Sequence, residues 1–162
     1  MASLLSFPSI VNETAARLVA TGAVAMSVAY VVTGNGWILL PLTYGFIARV
    51  LSGPRFSPLG LLATKVIVPL LNIKHKLCPG PPKRFAQGIG AAFSVTASVL
   101  LILDFGTASR VVIAMLAAAA SLEAFAGVCI GCKMFYAMMR IGILPESVCE
   151  ECNDISRRIQ AA

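Results

Sequence analysis

Charge is the first thing this chain lacks. Only 12% of its 162 residues are Asp, Glu, Lys or Arg, against 58% that are hydrophobic. A soluble globular domain averages about 25% charged and about 45–50% apolar. With a mean hydropathy of +0.86, the chain reads as a polytopic membrane protein of one domain. Histidine is nearly absent: His75 stands alone between lysines, which fits a lipid-surface residue better than a ligand. No phosphate-binding glycine loop, no GxSxG elbow and no His-rich metal pattern occurs, so nucleotide-binding and soluble hydrolase readings have no support. No internal repeat or low-complexity linker is present. No cationic stretch with a small-x-small site precedes the first apolar run, so a cleaved signal peptide is not expected. The Asn12-Glu13-Thr14 sequon falls where the topology below predicts cytoplasm, which argues against its glycosylation.

Apolar segments are what the chain has in quantity. After Asn12, a suitable N-cap, the first predicted span covers residues 14–33, about the 20 residues a bilayer core requires. A turn at Thr33-Gly34-Asn35-Gly36 leads to a second segment, 37–51. It is short, carries Pro41, Gly45 and Arg49, and reads as a span with a snorkelling arginine or as a re-entrant hairpin. The third span covers residues 85–103. The fourth, 110–130, opens an apolar run that hardly stops before Ile143. As one straight helix that run would be about 50 Å long, against about 30 Å of hydrocarbon, so a break is predicted at Gly127 or Gly131. The expected fold is all-α: about four transmembrane helices plus an interfacial or re-entrant helix. The membrane domain covers residues 1–144, and a cysteine-containing cytoplasmic tail covers 145–162. Small residues (Gly22, Ala23, Ala25, Ala29, and Ala117 to Ala120) serve close helix packing.

Between the second and third spans the composition changes. Residues 53–84 hold six cations (Arg55, Lys65, Lys74, Lys76, Lys83, Arg84), six prolines and no acid. An interfacial helix at about 57–73, followed by a proline-rich turn, accounts for that mixture. The net charge of +6 therefore lies beside apolar segments, as topology determinants and anionic-lipid contacts rather than a nucleic-acid surface. The opposite connections hold essentially only Arg110. By the positive-inside rule the basic loop, and with four spans both termini, face the cytoplasm of a multi-pass protein.

Chemistry is concentrated in cysteine. Four of the five cysteines form two C-x-x-C pairs, Cys129/Cys132 and Cys149/Cys152. On a helix, Cys129 and Cys132 share a face about 60° apart. If the chain restarts a helix after Gly127, a helix N-terminus and Lys133 would lower the thiol pKa. Cys149 and Cys152 lie among Glu146, Glu150, Glu151 and Asp154, which raise it. Two dithiols of different thiolate fraction can form a relay. In a reducing compartment a static disulfide is not expected. Two alternatives stay open. The spacing C-x2-C-x16-C-x2-C suits a four-thiolate zinc site, and less well an iron–sulfur cluster. The first pair is otherwise helix packing. Cys78 follows the basic Lys74-His75-Lys76, whose cations favour its thiolate, although single loop cysteines are usually incidental.

Three polar residues near the apolar spans complete the candidate set. Glu123 is an intramembrane acid, expected to pair with Arg17, Arg84 or Gln87 and, on a continuous helix, to point away from both thiols. Arg84 and Gln87 open the third span one turn apart, as a snorkelling arginine and a cap or as the wall of a vestibule for an anion such as thiosulfate.

Several strings resemble an uncharacterised bacterial integral-membrane family, domain-of-unknown-function family 4395. They are residues 7–13 (FPSIVNE), 53–60 (GPRFSPLG), 81–90 (PPKRFAQGIG) and 129–133 (CIGCK), with the tail 145–154 (PESVCEECND) resembling actinobacterial-type members. The resemblance implies a bacterial cytoplasmic-membrane protein associated with thioredoxin-like and sulfurtransferase proteins, and no established activity. The residues and the resemblance together favour thiol–disulfide or sulfur-transfer chemistry with such a partner. The alternatives are a zinc-stabilised membrane scaffold, within an oligomer or larger complex, and a transporter component for a sulfur compound. The redox reading requires no cofactor.

Overall fold

The computed structural model describes residues 10–53, 56–70 and 77–144. Its elements are β1 (Ile10–Asn12), α1 (Glu13–Thr33), a 3₁₀ turn (Gly36–Ile38), α2 (Leu39–Ser52), α3 (Pro58–Leu62), a π turn (Ala63–Ile67), α4 (Val68–Leu70), β2 (Leu77–Pro79), α5 (Gly80–Ile102), α6 (Gly106–Ala126) and α7 (Ile130–Arg140). The described chain is essentially all-α.

Local chemistry sets the helix ends. Asn12 caps α1: its side-chain oxygen accepts from the Thr14 and Ala15 amides at 2.9 and 3.3 Å, and Glu13 puts an anion in the first turn, where the helix dipole favours one. Gly34 ends α1 in a left-handed conformation. Asn35 caps the 3₁₀ turn, and Ser57 caps α3 with Pro58 in its first turn. In α5, Pro81 and Pro82 occupy the first turn, where a missing amide hydrogen costs nothing. Pro69 cannot donate to a carbonyl one turn back, and the helix widens into a π turn just before it.

α1, α2, α5 and α6 run alternately in opposite directions. The antiparallel pairing of β1 with β2, Val11 opposite Cys78, places the starts of α1 and α5 at one end. There too α6 ends, because an Arg17 Nη2 donates to the Phe125 carbonyl at 3.1 Å. α1 packs mainly on α6, α2 and α7 on α5, and α5 on α6. The core contains Ala23, Tyr30, Leu42, Phe46, Ala97, Ile113 and Leu116, and its alanines let the backbones approach. A second cluster, Ala15, Val19, Ala63 and Val68, joins the Pro58–Leu70 segment to α1.

α1, α5 and α6 are long and apolar enough to cross a membrane, while Gly36–Ser52 and Pro58–Leu70 are shorter apolar helices. The chain is thus a membrane protein, with three helices of spanning length among the described residues and, in α2, the shorter segment expected as a short span or a re-entrant hairpin. The second segment is short, as expected: its helix runs to Ser52 and stops where Gly53 leaves helical conformation at φ 65°. The apolar run after Arg110 breaks at Gly127, whereas Gly131 lies inside α7. Arg49 is not a snorkelling residue. With Leu39, Leu42 and Phe46 it forms the buried stripe of α2.

Polar groups inside the bundle are joined in chains. The Tyr30 hydroxyl meets Ser109 Oγ at 2.6 Å, and Ser109 Oγ donates to the Ala97 carbonyl at 2.7 Å, which links α1, α6 and α5. Since the Ser109 proton is committed to Ala97, Tyr30 is the donor between them. Ser109→Ala strands the buried Tyr30 hydroxyl and is expected to destabilise by about 1–3 kcal/mol, Tyr30→Phe by about 0.5–1.5 kcal/mol. Thermal unfolding in detergent should rank them in that order, with the double variant less destabilised than the sum.

Candidate functional site

The site lies at the end of the bundle where α1 and α5 begin and α6 stops. α6 ends because Gly127, at φ 67°, takes a left-handed conformation that non-glycine residues rarely adopt. The Val128 amide then donates back to the Leu122 carbonyl at 3.0 Å, a closure common after a left-handed helix end. Two residues later the chain starts α7, with Cys129 as its N-cap. Cys129 Sγ accepts from the Cys132 amide at 3.4 Å. The pair therefore does not sit side by side on a continuous helix. Cys129 stands before the helix, where free amides point at its sulfur, and Cys132 stands in the first turn.

Packing fixes that helix start. α7 lies on α5, where the rings of Phe85 and Phe135 are 5.7 Å apart. Gly131 allows the approach: a Cβ there would stand 2.6 Å from Ala86 Cα, a backbone atom that cannot swing aside.

Beside the thiols is a buried ion pair, Lys83 to Glu123. The side chains are 8% and 13% exposed. This corrects the expected partners of Glu123. Arg17 goes instead to the α6 terminus, Arg84 Nε donates to the Val50 carbonyl at 3.0 Å, and Gln87 accepts from Arg49 Nε at 3.0 Å. Lys83 reaches Glu123 because α5 begins at Gly80, which places Lys83 in the helix's first turn and not in the loop. The break at Gly127 also cancels the geometry expected of a continuous helix. Glu123 and Cys129 line the same cavity.

That cavity has a volume of about 370 Å³ and reaches from Cys129, Ile130 and Gly131 inward to Ala23, Phe46 and Phe93. Its lining is apolar except for Arg49, Gln87, Glu123 and Cys129. Arg49 is 4% exposed, and its guanidinium carbon lies 4.6 Å from the centre of the Phe46 ring.

The electrostatics divide the cysteines. The Cys132 side chain donates to the Cys129 sulfur and holds the Cys129 thiol below its ordinary value; Lys83 acts in the same direction, while burial and Glu123 oppose it. Cys132, as donor and partly buried, is held well above the ordinary thiol range. Burial pushes Cys78 up to about 11, which outweighs the opposing pull of Lys83. Its thiol donates to the Val11 carbonyl at 3.3 Å. The expected activation of Cys78 by cations is thereby corrected, because taking a thiolate out of water costs more than a nearby charge returns. Lys133 is exposed and is not among the groups that shift the thiols; Lys83 supplies the nearby cation.

Of the candidate residues, Cys129, Cys132, Glu123 and Gln87 converge here, and Arg84 and Lys133 lie aside. Cys149 and Cys152 lie outside the described residues, as do Lys74, His75 and Lys76. The four-thiolate zinc reading rests on that second pair, and among the described residues no group of three or more His, Cys, Asp or Glu is placed to hold a metal. Lys83 and Arg49 were not singled out from the sequence as site residues. The signal was present: Lys83, Gln87, Gly90, Ser94 and Ala97 recur at helical spacing, a polar and small-residue stripe on an otherwise apolar helix.

The geometry defines a class: a helical membrane protein with a C-x-x-C dithiol at a helix N-terminus beside a buried ion pair. Residues 11–140 match the family described as Domain of unknown function (DUF4395). The chain belongs to that family. No curated protein and no solved structure matches it.

Alkylation should read out this site. Cys129 is expected to react first with iodoacetamide, with a midpoint below the ordinary thiol value of about 8.5. Cys132→Ala removes a donor to the thiolate, so that midpoint should move up. Cys78 should react later than Cys129, with a midpoint near 11. Gly131→Ala should lift α7 from α5 and speed alkylation of Cys132.

Proposed function

We propose that this protein carries out thiol–disulfide or sulfur-transfer exchange at the membrane with a soluble thioredoxin-like or sulfurtransferase partner. The observation that supports it best is Cys129 as N-cap of α7, its sulfur accepting the Cys132 amide at 3.4 Å. A thiolate at a helix N-terminus is stabilised by free amides and by the dipole, and thiolate is the attacking species. Cys129 attacks the partner's disulfide, and a mixed disulfide forms as the partner's second sulfur leaves with the electron pair. Cys132, after losing its proton, attacks Cys129 sulfur and releases the reduced partner, leaving a Cys129–Cys132 disulfide. Against a persulfide, Cys129 takes the outer sulfur and the partner leaves as a thiolate. Exchange is reversible, so the mixed disulfide through Cys129 is common to both directions. Cys149 and Cys152 are the second dithiol of this relay.

The charge distribution supports a cytoplasmic orientation. The connection between α2 and α5 carries four cations and the start of α5 two more, at the end that bears the thiols, and the opposite end carries Arg110. The reading therefore places the pair and both termini on the cytoplasmic side of a bacterial inner membrane.

Cys132→Ser should accumulate the mixed disulfide in native membranes, recovered by non-reducing purification and identified by mass spectrometry. Cys129→Ser should yield none. No adduct from Cys132→Ser, with Cys129 still reactive to iodoacetamide, would overturn the proposal.

A further inference from the structure

The cavity beneath Cys129 has a use that partner exchange leaves unexplained. Arg49 crosses from α2 toward α5 and donates through Nε to Gln87, yet its buried Nη1 has no hydrogen-bond partner. Arg49 is a lining residue of the cavity, and a buried donor without an acceptor costs free energy that an acceptor bound at the guanidinium would relieve. The acceptor arrives in apolar surroundings, against Ala23, Phe93, Leu116 and Ala120. Met115 and Met134 line the same cavity and are 57% and 48% exposed, so it opens on the outer face of the bundle between α6 and α7. In a membrane the α6 side of that opening meets lipid. The volume of about 370 Å³ lies within the range of small-molecule sites, about 300–1,000 Å³.

These features select the ligand. A small oxyanion such as thiosulfate would leave most of an apolar cavity unfilled, and its charge would have one unpartnered guanidinium nitrogen, with Glu123 committed to the Lys83 pair. Burying an anion that way is unfavourable. A flat, neutral, lipid-soluble molecule with a carbonyl oxygen matches the lining, the lateral opening and the unpartnered buried donor. A thiolate at the cavity wall adds the last requirement, an acceptor of two electrons. We infer that the cavity binds the head group of a lipophilic quinone, its carbonyl oxygen on the Arg49 guanidinium, and that the quinone oxidises the Cys129/Cys132 pair.

The inference rests on the exchange reading and gives it a direction. The Cys129 thiolate bonds to the quinone. The Cys132 sulfur, losing its proton, attacks Cys129 and forms the disulfide. The sulfur–quinone bond breaks with its electron pair on the quinone. The Cys132 proton and one from solvent complete the quinol. Two thiol sulfurs are oxidised, one quinone is reduced, and the disulfide is then open to attack by a reduced thiol partner.

The test uses the full chain in lipid nanodiscs with decylubiquinone as probe. The Cys129→Ser/Cys132→Ser double variant should bind it saturably, independent of any thiol chemistry. Arg49→Met should weaken binding about tenfold, the loss of one charged-donor hydrogen bond. Ala120→Phe, which fills the cavity and keeps Arg49, should abolish binding, so a folding defect in one variant does not decide the outcome. Reduced wild type mixed anaerobically with the probe should yield one quinol per Cys129–Cys132 disulfide. Non-saturable uptake, or equal binding by all three variants, would mean partition into lipid and would overturn the site. Protection of Cys129 from alkylation by thiosulfate and not by decylubiquinone would make it an anion site instead. Partner capture through Cys129 without quinone binding would leave the exchange reading standing and remove this one. Binding without quinol formation would overturn the electron transfer.

Discussion

The Lys83–Glu123 ion pair is the interaction around which this end of the molecule is arranged. Neither side chain is stable in apolar surroundings alone, and removing one partner of such a pair typically costs about 3–5 kcal/mol. The pair therefore ties the first turn of α5 to the last turns of α6. That tie keeps α6 ending at Gly127 beside α5, and it is to α5 that α7 docks. The same lysine stands close enough to Cys129 to favour its thiolate. Structure and chemistry thus share one buried cation.

A cation in the first turn of a helix opposes the helix dipole, so Lys83 is poorly placed unless an anion meets it. Glu123 is that anion, and the membrane makes the pairing stringent, because no water is at hand to replace a lost partner. The reactive cysteine takes advantage of the opposite rule. Cys129 sits where the amides of α7 are unpaired and where a negative sulfur is welcome. Cys132, bound to that sulfur as a donor, is its unreactive counterpart until the first bond has formed.

Arg49 shows how easily function hides in a membrane sequence. An arginine near the end of a short apolar segment has an obvious role at the lipid surface. Here it turns inward into a cavity wall, stacked on Phe46 and bonded to Gln87, with one buried nitrogen left without a hydrogen-bond partner. The register of α2 decides this: Arg49 falls three residues after Phe46 and seven after Leu42 on the buried stripe.

Much of the fold was legible in the sequence, because hydropathy, N-caps and glycine breaks act over a few residues. Asn12, Ser57, Gly34 and Gly127 end their helices by local chemistry, and the C-x-x-C pair announces itself by spacing. Partner choice was not legible. Sequence position offers Glu123 the partners Arg17, Arg84 and Gln87, because Lys83 reads as part of the basic loop, and the angle between Glu123 and Cys129 on a continuous helix does not hold where the helix stops between them. Cys78 looked activated by its sequence neighbours, whereas burial against Val11 governs it. The sequence by itself determined that this is an all-α membrane protein with a dithiol near Gly127, since those features follow from short-range propensity and composition. The tertiary structure alone decided which buried charges meet, which cysteine is the acceptor and where the cavity lies, because those depend on how four helices are rotated against one another, and rotation is set by the summed packing of the whole bundle.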